Sequence, residues 1–183
     1  MIALSQVPIL ETSRLLLRLP QQEDFGGWAE FHGDAVSMPY LGGPMTRADA
    51  WRGMASVVGM WPLLGFGQFS LIEKETGQWI GRAGPWRPEG WPGEEIGWSI
   101  RRSAQGRGFA TEAASAAMDF AFFTLGWTRV VHIIHPDNAA SQGVAKRLGS
   151  SLIGPVSLPA PHEARSVEAW GQSADAWRSH PNR

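Results

Sequence analysis

The chain has 183 residues, with 16 Lys and Arg against 17 Asp and Glu for a net charge of −1, no cysteine, ten tryptophans and one tyrosine. That length fits one domain burying a full core unaided, and the balanced charge argues against a non-specific nucleic-acid binder. The lack of cysteine excludes disulfides, cysteine-based zinc and iron–sulfur sites and any thiol nucleophile, and it fits a reducing compartment.

The N-terminal segment has no positive region before its apolar residues and no small-residue cleavage site. The uncharged stretch 55–72 holds three Gly, one Pro and one Gln. Neither pattern makes a signal peptide or a membrane span, so a soluble, cytoplasmic protein is expected.

Ser13 to Leu19 is a short apolar run closed by Pro20 and reads as a strand. Gln21 to His32 carries acids early and apolar residues at Phe25, Trp28, Ala29 and Phe31, which predicts a first helix weakened by Gly26 and Gly27. Met38 to Pro44 is a loop. Thr46 with Asp49 three residues on opens a second helix expected to run to about Met60. Phe66 to Lys74, Trp79 to Trp86 and Glu95 to Ile100 are three successive strands with tight connections, an antiparallel meander. A helix is expected from Arg107 to Leu125, stopped by Gly126, then a buried β-branched strand from Val130 to Ile134. Asn138 caps a helix that ends before Gly149, and Leu152 to Leu158 and Ser166 to Trp170 are the last two strands. This order predicts a mixed α/β sheet, with parallel pairing only around the third helix.

Gln105-Gly-Arg-Gly-Phe-Ala-Thr-Glu112 joins a strand to a helix. Glycines there permit a tight turn, and free N–H groups at a helix start favour an anionic phosphate. Arg101, Arg102 and Arg107 add positive charge on or beside it; the plainer reading is a strand-to-helix turn with solvated arginines. No Gly-Lys-Ser/Thr follows, so it is not a Walker A loop. Gly106 and Gly108 fit two glycines of the dinucleotide fingerprint, but Thr111 stands at the third and the preceding strands read as antiparallel. Asp137 keeps a dinucleotide-binding oxidoreductase as an alternative.

Gln105-Gly-Arg-Gly108-Phe-Ala110 resembles the motif by which GNAT superfamily N-acetyltransferases bind the pyrophosphate of acetyl-CoA. Leu10-Glu-Thr-Ser-Arg-Leu-Leu-Leu-Arg18, Glu95-Ile-Gly-Trp98, Gly108-Phe-Ala-Thr-Glu-Ala113 and His135-Pro-Asp-Asn138 with Ser141, Lys146-Arg147 and Leu148-Gly149 are similar to motifs of its Rim-type branch, which acetylates ribosomal-protein N-termini and other amines. The matches are in order and cover roughly 10–170 of a single 1–183 domain, leaving a tail at 171–183. The resemblance implies a GNAT fold: a mixed, mostly antiparallel sheet of about seven strands, splayed at the acetyl-CoA slot and flanked by about four helices. It implies acetyl-CoA as donor, an amine acceptor, direct transfer, no nucleic acid, no membrane, no metal, and a monomer or homodimer. Without cysteine no acetyl-cysteine intermediate is available. A non-catalytic acyl-CoA-binding module on the same fold is the rival reading.

By resemblance, the pyrophosphate lies on Gln105, Gly106, Arg107, Gly108, Phe109, Ala110 and Thr111. The pantetheine arm lies along Ser99, Ile100, Arg101 and Arg102, with the N–H of Ile100 facing the thioester oxygen. Glu94 and Glu95 are the general-base candidates. Adjacent strand residues face opposite ways, so at most one enters the slot; both as solvated strand-end carboxylates is the alternative. The superfamily's usual acid is a tyrosine seven residues after the Asn, which here is Ala145. Ser141 is the expected replacement, reaching the CoA sulfur from the first turn of its helix. Asn138 suits both an N-cap and a pantetheine contact. Lys146 and Arg147 complement the helix dipole or touch a CoA phosphate. The amine site is expected between the two N-terminal helices and the last strands, lined by Trp28, His32, Tyr40, Trp51 and Trp61. His132 and His135 lack companions at metal-ligand spacing.

Overall fold

The computed structural model describes residues 3–181; Met1, Ile2, Asn182 and Arg183, the ends of the expected 1–183 span, lie outside the described residues. In chain order the elements are β1 (Leu10–Glu11), β2 (Leu15–Arg18), α1 (Phe25–Gly33), α2 (Arg47–Leu64), β3 (Phe69–Glu73), β4 (Trp79–Trp86), β5 (Glu95–Ile100), α3 (Phe109–Asp119), β6 (Arg129–Ile134), α4 (Ala139–Arg147), β7 (Ser151–Val156), β8 (Val167–Ser173) and α5 (Ala174–Arg178). They form one eight-stranded sheet in the order β1-β2-β3-β4-β5-β6-β8-β7. Every pairing is antiparallel except β5 with β6. The expected mixed α/β sheet is borne out, with its single parallel pair across α3.

The differences are at the margins and have local causes. A two-residue β1 and a short α5 bring the count among the described residues to eight strands and five α-helices. Within the segment expected as a tail, 171–173 complete β8, and α5 docks through Trp177, 1% exposed. Helix α2 passes Met60 and Pro62 to end at Gly65, whose φ of 80° is the left-handed cap. Its start is as read, with the Thr46 hydroxyl accepting from the Asp49 N–H at 3.1 Å. Before α1 a 3₁₀ turn, Gln22–Asp24, turns Asp24 inward. There Asp24 receives both forks of Arg18 at 2.8 Å.

Two apolar layers sandwich the sheet. Leu15, Leu17, Phe69, Leu71, Ile96 and Ile100 pack against Phe109, Ala113, Ala117 and Met118 of α3. On the opposite face Trp28, Phe31, Met54, Val57 and Trp79 join α1 and α2 to β4. One clamp explains why Thr12-Ser13-Arg14 and Glu112 occur together. The Glu112 carboxylate accepts from the Thr12 hydroxyl (2.6 Å), the Ser13 hydroxyl (3.1 Å), the Arg14 N–H (2.9 Å) and Arg14 Nε (2.7 Å). These bonds hold the Glu112 pKa below the usual carboxylate range against the opposing effect of its partial burial. Arg14 Nη1 also donates to the Arg107 carbonyl at 2.9 Å. The N-terminal strands thereby fix the start of α3 and the turn before it.

Candidate active site

The β5–β6 pair is the break in the sheet. The strands are in register only at Glu95 and Val131, with the Val131 N–H donating to the Glu94 carbonyl at 2.9 Å. Beyond that point two side chains replace the ladder. The Ile133 N–H points at Glu95 Oε1, 3.4 Å away, and His132 Nδ1–H donates to the Ile96 carbonyl at 2.7 Å. His132 is 1% exposed, and burial lowers its pKa to about 4, so the imidazole is neutral. Its partners assign the tautomer: Nδ1 faces a carbonyl, and Nε2 accepts from the Ser150 hydroxyl at 3.0 Å. This histidine is a strut at the apex of the opening.

The Ile96 carbonyl faces β6, so strand alternation turns the backbone groups of Trp98 and Ile100 the same way. Those groups form the edge of the slot. The Ser99 carbonyl faces β4, where it lies against Gly81, and the Arg101 N–H donates to Ile80. Of the expected arm-binding stretch, Ile100 alone lines the slot with its backbone. Gln105 closes the strand end, its Nε2 donating to the Ile100 carbonyl at 2.9 Å.

The two glutamates separate clearly. Glu94 pairs with Arg87 at 3.2 Å near the surface. Glu95 is 8% exposed and lies on the α1 face, so it is no solvated strand-end carboxylate. Burial pushes its pKa up to about 7, opposed by the Trp91 Nε1–H bond (2.6 Å), the Ile133 N–H and the charges of Arg82 and Arg165. A carboxyl poised near neutrality beside the opening is suited to moving a proton.

At the glycine turn Gly106 and Gly108 take φ of 75° and 82°, in the left-handed region open to glycine. Gly108 caps α3 without a side-chain hydrogen bond. The first-turn N–H groups of Phe109, Ala110 and Thr111 thus meet no capping side chain, and a diphosphate suits them. The arginines are less committed to an anion than their clustering suggests. Arg101 lies 3.6 Å from Glu30, and Arg107 pairs with the buried Glu73 at 2.6 Å. Arg102 flanks Asp34, whose pKa is lowered chiefly by the Ser37 hydroxyl and slightly by this arginine. A cleft of about 540 Å³ runs between α1 and Arg101–Ser103, where these opposite charges meet. Arg147 Nε reaches the Thr111 hydroxyl at 3.3 Å, bringing a further cation to the turn.

On the opposite side of the sheet from Glu95, Asn138 Oδ1 accepts from the Ser141 N–H at 3.0 Å, the expected N-cap. Its Nδ2 remains the part suited to a ligand. Ser141 is half-buried in the first turn of α4. Ala145 is fully buried against Ile134 and Trp170. The aromatic candidates divide. Trp28 and His32 are buried and stacked at 5.0 Å, with His32 held neutral by a pKa lowered to about 4, mainly by burial. Tyr40 lies over His135 at 5.0 Å, and its carbonyl accepts from Arg165 at 2.8 Å. Trp61 is core, and Trp51 is 48% exposed and edge-on to Phe25; neither lines the site.

Sequence reasoning missed Arg82, Trp91, His132 and Arg165 as parts of this site. Arg82 left a signal, being the one charge in the otherwise apolar Trp79–Trp86. The others belong to loops or to a buried strand whose contacts are set by folding. The antiparallel meander before the turn removes the βαβ start that a dinucleotide fold requires.

Residues 14–151 match the family described as the acetyltransferase (GNAT) domain. The uncharacterized N-acetyltransferase p20 of Bacillus licheniformis is 32% identical over 135 residues, 72% of this chain and 76% of that protein. The crystal structure of an acetyltransferase from Agrobacterium tumefaciens str. C58 superposes with a TM-score of 0.81 at 30% identity, covering 91% of this chain and 95% of that one. A ribosomal L7/L12 alpha-N-protein acetyltransferase in complex with coenzyme A shares the fold, with a TM-score of 0.75 at 17% identity over 92% of this chain and 99% of that one.

Proposed function

This chain belongs to the GNAT acetyltransferase family, and from that premise we propose that it transfers an acetyl group from acetyl-CoA to a primary amine by direct attack. The observation that carries this reading is the opening between β5 and β6, with a buried carboxyl at its apex and an uncapped glycine turn at its mouth. The shared fold of a coenzyme A-bound ribosomal-protein acetyltransferase, together with the ordered Rim-type motifs, supports that branch and a protein or small-molecule amine as acceptor.

Acetyl-CoA supplies an acyl group activated as a thioester and a thiol leaving group. The residues that would hold it are the first-turn N–H groups at Phe109, Ala110 and Thr111, the slot edge at Trp98 and Ile100, and Asn138. Glu95 takes one proton from the incoming ammonium, freeing the nitrogen lone pair to form the C–N bond as the C–S bond breaks. Ser141 passes a proton to the departing sulfur and is reprotonated by the second proton that leaves the nitrogen, while the proton on Glu95 goes to solvent. Trp98 lies three residues, about 10 Å, from Glu95, against about 17 Å for Ile100. We therefore assign the thioester-facing N–H to Trp98 and the arm contact to Ile100.

Turnover of acetyl-CoA against a panel of amines and N-terminal peptides tests the reading. Bound acetyl-CoA without turnover would favour the non-catalytic module. Within that assay Ser141→Ala is expected to lower kcat at least about tenfold while acetyl-CoA affinity changes less than about threefold. An unchanged kcat would remove Ser141 from the chemistry.

A further inference from the structure

Around Glu95 the α1 face holds more positive than negative charge. Arg82 projects from β4 with its Nη1 on the Gln68 side-chain carbonyl and its guanidinium 5.3 Å above the Trp28 ring. Its Nε is buried without a hydrogen-bond partner. No carboxylate lies within ion-pair distance of Arg82 or Arg165 among the described residues, and the field of both acts on the single carboxyl of Glu95. Arg82 is largely covered by protein and keeps part of its surface open to solvent. Arg165, half-buried, is tied to the Tyr40 carbonyl at the rim.

Two partly buried guanidinium groups near one carboxyl are costly unless an anion completes the set. A neutral or purely cationic amine leaves the imbalance in place. We propose that the acceptor is an amine bearing its own carboxylate a few bonds from the nitrogen, as in an amino acid, with that carboxylate seated on Arg82 and Arg165 and the amine at Glu95. This assignment rests on the acetyl-transfer reading and names its substrate class. Arg82 supplies the Nη2 hydrogens left over by Gln68, and Trp28 beneath it keeps the guanidinium plane fixed. Ammonium and carboxylate of one small molecule then meet opposite charges, and transfer of the ammonium proton to Glu95 leaves the neutral amine next to the slot.

The test compares the proteinogenic amino acids with their carboxamides, and with amidated N-terminal peptides, under saturating acetyl-CoA. The free acid of the preferred side chain is expected to exceed its carboxamide in kcat/KM by about 10- to 100-fold, the weight of a charge-assisted hydrogen bond. Arg82→Met should collapse that ratio to within about threefold, chiefly through KM. Arg165→Gln should reduce it partially, and serves if the Arg82 variant does not fold. Tryptophan fluorescence provides a readout without turnover: the N-acetyl amino acid should quench wild type and not Arg82→Met, and its N-acetyl carboxamide should quench neither. Carboxamides or amidated peptides acetylated as well as free acids would overturn the assignment while leaving acetyl transfer intact. Absence of turnover with every amine would overturn both.

Discussion

Glu95→Gln is expected to lower kcat at pH 8 by roughly two orders of magnitude, the usual weight of a positioned general base. Acetyl-CoA affinity should stay within about twofold, because the carboxyl lies on the α1 face, away from the turn that would hold the diphosphate. The pH profile makes the test specific. Burial raises the Glu95 pKa to about 7, so wild-type kcat/KM should climb as the pH passes through neutrality. That limb should vanish in the variant. An unchanged rate and an unchanged limb would move the base role from Glu95 to solvent. Stability should respond with the opposite sign. The folded-state pKa is raised above the ordinary glutamate value of about 4.5, so charging Glu95 weakens the fold. Its contribution is intact below about pH 4.5 and is lost as the pH rises through about 7. Glu95→Gln removes a cost of roughly 3 kcal/mol at pH 8, and its thermal midpoint relative to wild type should be higher at pH 8 than at pH 4.

The second large effect concerns Gly81, opposite Ile100 across β4 and β5. A Cβ at position 81 would lie 2.2 Å from the Ser99 carbonyl oxygen and 3.1 Å from the Ile100 Cα. Both are backbone atoms of a central strand pair, so no side chain can swing aside to relieve the collision. Gly81→Ala should therefore cost roughly 3 kcal/mol, or about 6–12 °C in Tm for a chain of this size. The displaced strand is also the slot edge. Folded Gly81→Ala should bind acetyl-CoA at least about tenfold more weakly, whereas Gly53→Ala, inside α2 with open space around it, should leave affinity unchanged and raise Tm slightly. Wild-type Tm and affinity in Gly81→Ala would contradict this packing.

The order of elements was legible because hydrophobic period and turn residues report on local structure. The Thr46 cap, the Asn138 cap and the break at Gly126 all work through neighbours a few residues away. The parallel pair across α3 was legible too, since a helical crossover permits it. Glu94 and Glu95 show the limit. Their identities are the same, and only the sheet decides that one meets Arg87 near the surface and the other lies beneath Trp91. Trp28, Trp51 and Trp61 likewise read alike as aromatic residues on helices, yet one sits under Arg82, one faces solvent and one is core. Arg101 and Arg107 read as a free basic cluster because Glu30 and Glu73, their partners, are far away in the chain. Side-chain pairing across long sequence separations follows from the completed fold, and there the composition of a segment carries little information.

The central claim is that the glycine turn and the β5–β6 opening together form an acetyl-CoA site. Calorimetric titration of the full chain with acetyl-CoA up to millimolar concentration tests it most directly. Saturable heat with one site per chain is expected, lost or strongly weakened in Gly108→Val, where a branched side chain cannot easily adopt a φ of 82°. No binding heat to wild type by millimolar ligand would mean that the turn and the opening do not form an acetyl-CoA site.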